Sequence, residues 1–200
     1  MKNSLGYFVS GFCLILTLLL FSCQQNYTPK PPGYFRIDFP DKEYKLFDSN
    51  CQFTFEYPVY TVLEQVDLHE YCRFNLNFPK YKGTIHLTYH KIDGNFDVFI
   101  EDNWSMIYKI IAQKADAVIP HIYSYPELNV HGTMYDISGD AASAVHFWVT
   151  DSINNFLKGS MYFSVRPNYD SLSPVINFFR EDIIHLMETF KWKESNLLLK

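Results

Sequence analysis

The sequence predicts an α+β domain in which one antiparallel sheet of about five to seven strands is covered by two main helices. Three observations predict it. The chain is rich in rings, with 18 Phe, 15 Tyr and 3 Trp among 200 residues, a bias that favours strands. Several segments alternate apolar and polar residues, the period of a half-buried strand. Two others repeat apolar residues every three or four positions, the period of an amphipathic helix. A composition that is 48% hydrophobic and 20% charged excludes a disordered or collagen-like chain, and the length suits one domain.

The first 22 residues carry a single charge, Lys2. Even counted from Leu5 to Phe21, the apolar stretch is 17 residues and is interrupted by Gly6, Ser10 and Gly11. That is marginal for a spanning helix and fits a cleaved export signal over residues 1–22. Leu20-Phe21-Ser22-Cys23 resembles the lipobox of bacterial lipoproteins: a Leu three positions before, and a small residue just before, the Cys that becomes acylated. The bulky Phe21 departs from that pattern. The alternative is an uncleaved anchor ending in a free thiol at Cys23, and both readings export the rest of the chain. Residues 24–33 are polar and Pro-rich, so 23–33 reads as a lipidated Cys followed by an extended linker. A single folded domain is expected over 34–193, with 194–200 as a tail.

Export changes the cysteine arithmetic, because an oxidising envelope compartment favours disulfides. With Cys13 removed in the signal and Cys23 acylated, Cys51 and Cys72 remain as an even pair, each at the start of a strand-like run. A Cys51 to Cys72 disulfide is the simplest expectation. Two buried free thiols are the alternative, and metal binding is disfavoured because no CxxC exists.

The elements follow in order. Phe53, Phe55 and Tyr57 alternate with Thr54 and Glu56, and Val59 to Val66 continues as a second strand after Pro58. Alternation is cleaner over Cys72 to Phe78 and Thr84 to His90, joined by the turn Pro79-Lys80-Tyr81-Lys82-Gly83. The period then changes: Phe96, Phe99, Ile100, Ile107, Ile111, Ala115 and Val118 share one helical face, with Asp93 or Asn95 as cap and Pro120 as terminator. Leu128 to Ile137, Ser143 to Thr150 and Phe156 to Val165 form a three-stranded meander around polar turns. A last helix starts at Ser173 as N-cap with Pro174 in the first helical position, and buries Val175, Phe178, Phe179, Ile183, Leu186 and Phe190. This order is similar, at the level of fold, to the small sheet-and-helix domains that include the photosystem II accessory protein PsbP and Mog1. Such an analogy carries no function.

A formal charge of −5 without a Lys/Arg cluster excludes nucleic acid as a partner. GxSxG, HExxH, Walker, GxGxxG and EF-hand patterns are all absent from the sequence. His86 and His90 have the spacing of a helical metal pair, but on a strand it separates the rings by roughly 13 Å, too far for one ion. Glu64, Asp67, His69 and Glu70 form an acidic cluster that reads as a solvated loop between strands rather than as an acid–base pair. Ser143 and Ser164 sit within strand patterns, with no elbow to activate them. Tyr108, Tyr123, Tyr125 and Tyr135 could line a glycan or peptide groove, but cross-strand and core packing is the better explanation of them.

The runs Gly33 to Pro40, Phe53 to Tyr60, Phe78 to Leu87, Lys114 to Ala117 and Tyr135 to Ser143, and the stretch from Arg166-Pro167-Asn168 through Lys191-Trp192-Lys193, resemble the gliding motility lipoprotein GldD family of the Bacteroidetes. The resemblance spans nearly the whole mature chain and contains no catalytic motif. It implies an envelope lipoprotein required for gliding, tied to the type IX secretion machinery, with no enzymatic activity and no cofactor. Cys23 is the one functional position it carries over, as the lipid attachment point. The implied partners are the membrane, through the lipid, and other gliding and secretion proteins of the envelope. Surface lipoproteins of this phylum usually carry acidic residues after the lipidated Cys, and Gln24-Gln25-Asn26-Tyr27 has none. The expected location is therefore the outer membrane, facing the periplasm. A periplasmic glycan- or peptide-binding module, or an enzyme assembled from distant segments, are the alternatives.

Overall fold

Alternating rings build the strands of this protein, and the partners of those rings decide how the strands stack. The computed structural model describes residues 36–67 and 72–193. The expected signal peptide 1–22, Cys23, the linker to residue 33, His69, Glu70 and the tail 194–200 lie outside the described residues. Within them the order is β1 (Tyr44–Asp48), β2 (Phe53–Pro58), β3 (Val62–Asp67), β4 (Arg73–Phe78), β5 (Gly83–Lys91), α1 (Phe96–Lys114), β6 (Ala115–Tyr125), β7 (Val130–Gly139), β8 (Ser143–Thr150), β9 (Asn155–Phe163), α2 (Tyr169–Thr189) and β10 (Lys191–Trp192). The expected α+β class is what is found. Seven strands form an antiparallel sheet in the order β3-β4-β5-β9-β8-β7-β6, and β1-β2-β10 form a smaller one.

The core lies between the inner face of the large sheet, α2 and the small sheet. Phe74, Leu76 and Phe78 of β4, Ile85 and Leu87 of β5, and Val145, Phe147 and Val149 of β8 meet Phe179, Ile183, Leu186 and Met187 of α2 in one buried cluster. Phe53 and Phe55 of β2 enter the same cluster and stack on Phe190, with ring centroids 5.5 and 6.4 Å away. Close approach demands one glycine: a Cβ on Gly159 would stand 2.1 Å from the Phe147 ring, which lies across β9 at that point.

Strand ends shift by one to three residues from the sequence reading, and three differences go further. The first helix stops at Lys114, so Ala115 and Val118 lie in β6. Ladder pairing with β7 along nearly the whole of β6 outweighs the helical spacing, and Pro120 is tolerated because the strand is at the sheet's edge. The second helix starts earlier, at Tyr169, capped by Asn168, whose side chain accepts from the Ser171 N–H at 3.1 Å. Ser173 and Pro174 are thus inside α2, and the Ser173 hydroxyl donates to the Asp170 carbonyl at 3.3 Å, the acceptor that Pro174, lacking an N–H, leaves open. Finally, β1 and the two-residue β10 have no alternation of their own and exist by pairing with β2.

The small sheet is fastened to α2 by a buried carboxylate. Asp182 is only 2% exposed. It accepts from Lys42 Nζ at 2.7 Å and from the hydroxyls of Tyr44 at 3.0 Å and Tyr60 at 2.7 Å. Burial raises its carboxyl above the ordinary range, against the pull of those donors. Lys42 also donates to the Phe178 carbonyl at 2.6 Å and lies 3.5 Å from the centroid of the Phe178 ring. Next to it, Tyr44 stacks on His185 at 3.6 Å, and His185 Nε2 lies 2.7 Å from Glu56 Oε2. A second tie is covalent: Cys51, before β2, and Cys72, before β4, are bonded with their Cα atoms 6.1 Å apart.

Two outcomes are expected. Replacing both Cys51 and Cys72 by Ala lowers unfolding stability by about 3 kcal/mol, the loop-closure entropy of a bridge of this span, measured by urea titration. Asp182→Ala costs about 3 kcal/mol because it removes the shared acceptor of the partly buried Lys42 ammonium and two tyrosine hydroxyls, whereas Asp182→Asn, which keeps one acceptor, costs less in the same assay.

Candidate interaction surface

Strand register brings a row of polar side chains onto the outer face of the large sheet. Glu64 of β3 is opposite Asn75, Asn75 opposite His86, His86 opposite Ser160, Ser160 opposite His146 and His146 opposite Tyr135. Asn75 and Asn77 both donate to Glu64 Oε2 at 3.1 Å, which holds the Glu64 carboxyl below its usual range. Donation to Glu64 orients the Asn75 amide, so its Oδ1 faces His86 at 2.7 Å and His86 Nδ1 carries the proton. Glu64 is therefore a strand residue in a hydrogen-bonded ladder, not part of a solvated loop.

The same row accounts for the histidines. His86 and His90 lie on one face of β5, but His90 turns toward the Phe99 ring, 5.1 Å away. Among the described residues no three His, Cys, Asp or Glu side chains gather as metal ligands. His131 pairs with Ser124 Oγ at 3.0 Å. Ser143 Oγ donates to the Met161 carbonyl at 2.9 Å, a role in the sheet, and Ser164 sits past the end of β9. His146 is 2% exposed, with Nδ1 2.8 Å from Ser160 Oγ and no described partner for Nε2.

Facing α2, Arg180 Nε donates to both oxygens of Asp136 at 2.9 and 2.7 Å, and His121 Nε2 lies 2.8 Å from the same carboxylate. This cluster ties α2 to β7 and β6. Next to it runs an open groove of about 260 Å³ lined by Ile119, Asp136, Ile137, Tyr169, Ile176 and Arg180.

Exposed apolar side chains occur on β6 and α1, as they do at Leu46, Val62 and Val66 on β1 and β3. Ile122 is 84% and Ile119 55% exposed. On α1, Trp104 is 49% and Tyr108 68% exposed. Trp104 meets Tyr135 edge-on at 6.2 Å and Tyr108 at 6.5 Å. Tyr135 in turn is opposite Pro120 of β6. The four tyrosines do not line one groove. Alternation along β6 and β7 turns Tyr123 and Tyr125 toward α2, whereas Tyr135 meets α1 on the other face, where Tyr108 is carried. Sequence reading missed this surface because helical spacing counts Ala115 and Val118 into a helix ending at Pro120 and assigns the rest of β6 to no strand; the run of Val118, Ile119, Ile122 and Tyr123, all strand-prone, is the signal that could have found it.

Burial depresses both His90 and His146, each to about 4 from 6.5, with Lys158 adding to the effect. The unfolded chain then takes up these protons at higher pH than the folded one, so the stability present above pH 6.5 is lost as pH falls toward 4. The expected loss attributable to His146 is on the order of 1 to 3 kcal/mol, and His146→Gln should flatten the curve of urea midpoint against pH over that window.

No curated protein matches the chain. A family model described as gliding motility lipoprotein GldD matches residues 24–192, a span that takes in every described strand and helix. The chain therefore belongs to the GldD family of gliding motility lipoproteins, and with membership come a role in gliding motility and an association with the cell envelope.

Proposed function

We propose that this protein is a non-enzymatic component, or assembly and stability factor, of the gliding and type IX secretion apparatus, and that it works by binding other envelope proteins. The observation that carries the reading is the exposure of Ile122 on β6 and of Trp104 and Tyr108 on α1, all on the face of the sheet that α1 covers. Aromatic and aliphatic side chains without lysines between them make up the centre of protein interfaces. The polar clusters elsewhere are joined to one another and hold the fold: the Glu64 ladder spans strands, Asp182 docks the small sheet, and Arg180 with Asp136 fastens α2.

In this reading residues 1–22 are removed as a signal peptide and Cys23 carries the lipid, an acyl chain such as palmitate. Residues 23–33 then tether a domain of residues 34–193, with 194–200 as a tail. The family match begins at Gln24, directly after Cys23, which supports that boundary. The sequence after Cys23 supports the outer membrane, facing the periplasm. A short tether keeps the domain within a few tens of ångströms of the membrane, roughly 5–6 Å times the square root of the linker length, so modest affinities suffice. A second reading, a glycan- or peptide-binding module, is favoured by the open groove of about 330 Å³ between α1 and the sheet, floored by Phe99, Met106 and Phe156.

Complementation of a deletion strain tests the role. Loss of the protein should abolish spreading on surfaces and lower secretion or the level of a partner lipoprotein. A Cys23→Ala form should restore spreading poorly, while His86→Ala and His90→Ala should restore it fully. Loss of spreading in either histidine variant, shown to be folded and lipidated, would instead point to chemistry at the sheet face.

A further inference from the structure

Lys42 and Lys193 each meet a carboxylate, Asp182 and Asp48. Lys158 sits mid-strand in β9 on the outer face of the large sheet, opposite Thr88 of β5 and Trp148 of β8. It is only partly exposed, and among the described residues no carboxylate lies within ion-pairing distance of its ammonium. Drawing an ammonium partly out of water without an anion costs free energy. Its field reaches the neighbouring rings: after burial, Lys158 is the strongest influence holding His90 and His146 below the ordinary imidazole range. Beside it Trp148 stacks on Phe156 at 5.8 Å, and the buried Trp148 Nε1 has no acceptor among the described residues. Both groups are donors, so this part of the face lacks an acceptor.

Lys158 and Phe156 line the open groove of about 330 Å³ between α1 and the sheet. One stripe of α1 forms its other wall, with Phe99, Asp102, Met106 and Lys109 at three- and four-residue spacing. Lys109 is exposed and likewise has no carboxylate at ion-pairing distance among the described residues. With His90 uncharged at neutral pH, the groove sets two ammoniums against one carboxylate. We propose that this groove binds the C-terminal end of a peptide, Lys158 and Lys109 holding the terminal carboxylate while Phe99, Met106 and Phe156 take an apolar last side chain. This narrows the binding-module reading to one ligand class and rests on it. A surplus of one positive charge suits a monoanion, and ammonium–carboxylate hydrogen bonds are the strong, charge-assisted kind. A volume of about 330 Å³ is at the small end of ligand sites and takes a chain end rather than a long segment. Asp102 and Asn103 on the rim supply an acceptor and an amide for the peptide groups ahead of the carboxylate. A long acyl chain is the wrong occupant, because the apolar floor is three side chains and the rim is polar.

Methionine-methyl NMR of the full lipidated chain in lipid nanodiscs tests this. Met106 lines the groove, whereas Met134, Met161 and Met187 are buried in the core, so the spectrum separates groove from core. Acetyl-Ala-Phe with a free carboxylate should shift the Met106 methyl saturably and leave the other three in place. Its C-terminal amide should bind about tenfold more weakly, the worth of a hydrogen bond to a charged group. Lys158→Met, which keeps the apolar stem and removes an unpaired charge, should stay folded and lose about the same factor, while Lys158→Arg should retain binding. Equal binding of acid and amide, or unchanged affinity in the folded Lys158→Met protein, would overturn carboxylate recognition and leave a peptide groove standing. Tighter binding of octanoate than of the peptide acid would overturn the peptide as occupant. No Met106 shift with either peptide at about 10 mM would overturn the proposal and, with it, the peptide arm of the reading it rests on.

Discussion

A carboxylate buried to 2% exposure is tolerable only where donors meet it, and Asp182 dictates much of this architecture. Its three donors come from separate places: Lys42 ahead of β1, Tyr44 in β1 and Tyr60 between β2 and β3. Bringing them to one point on α2 fixes where the small sheet lies and how the chain enters the domain. Once the small sheet is seated, Phe53 and Phe55 fall against Phe190, and the aromatic cluster closes between α2 and the large sheet. Lys42 over the Phe178 ring, and Phe39 stacked on that ring at 4.3 Å, extend the same clasp toward the N-terminal linker. The disulfide adds a covalent link between the stretches leading into β2 and β4, one strand from each sheet.

The two faces of the large sheet divide the work. The inner face is apolar and closed. On the outer face α1 covers the part near Phe156, Trp148 and Tyr135, and the part formed by β3, β4 and β5 carries the Glu64, Asn75 and His86 ladder. An antiparallel sheet allows this, since one of its faces can meet water. Crossing from β5, α1 delivers the chain to β6 at the far edge of the sheet, where among the described residues no strand pairs with its outer side. Exposed Ile122 there, with Trp104 and Tyr108 on α1, leaves apolar side chains on this face that the core does not use.

For a lipoprotein of the gliding family, that arrangement separates stability from contact. Polar clusters that resemble catalytic groupings in sequence, such as Arg180 with Asp136 and His121, are committed to holding helix to strand. Ile122 on β6 and Tyr108 on α1, 84% and 68% exposed, take part in none of those ties.

The alternating rings of β2, β4, β5, β8 and β9 and the apolar stripe of α2 were legible because local periodicity reports which face is buried. The α+β class and the family were legible for the same reason: both are carried by runs of the chain read in order. Local pattern was not enough at Ala115 to Tyr125, where helical and strand spacings overlap and only the ladder to β7 decides. It was not enough at Asn168, because a helix start depends on which side chain reaches a free N–H. The candidate surface was the least legible part, since exposure is a property of position in the sheet: the sequence pattern assigns Ile119 and Ile122 to no element, and the strand order places them at an edge. Composition and period determined what this chain is made of and which family it joins; long-range pairing, which no local window contains, decided which of its apolar residues are left outside.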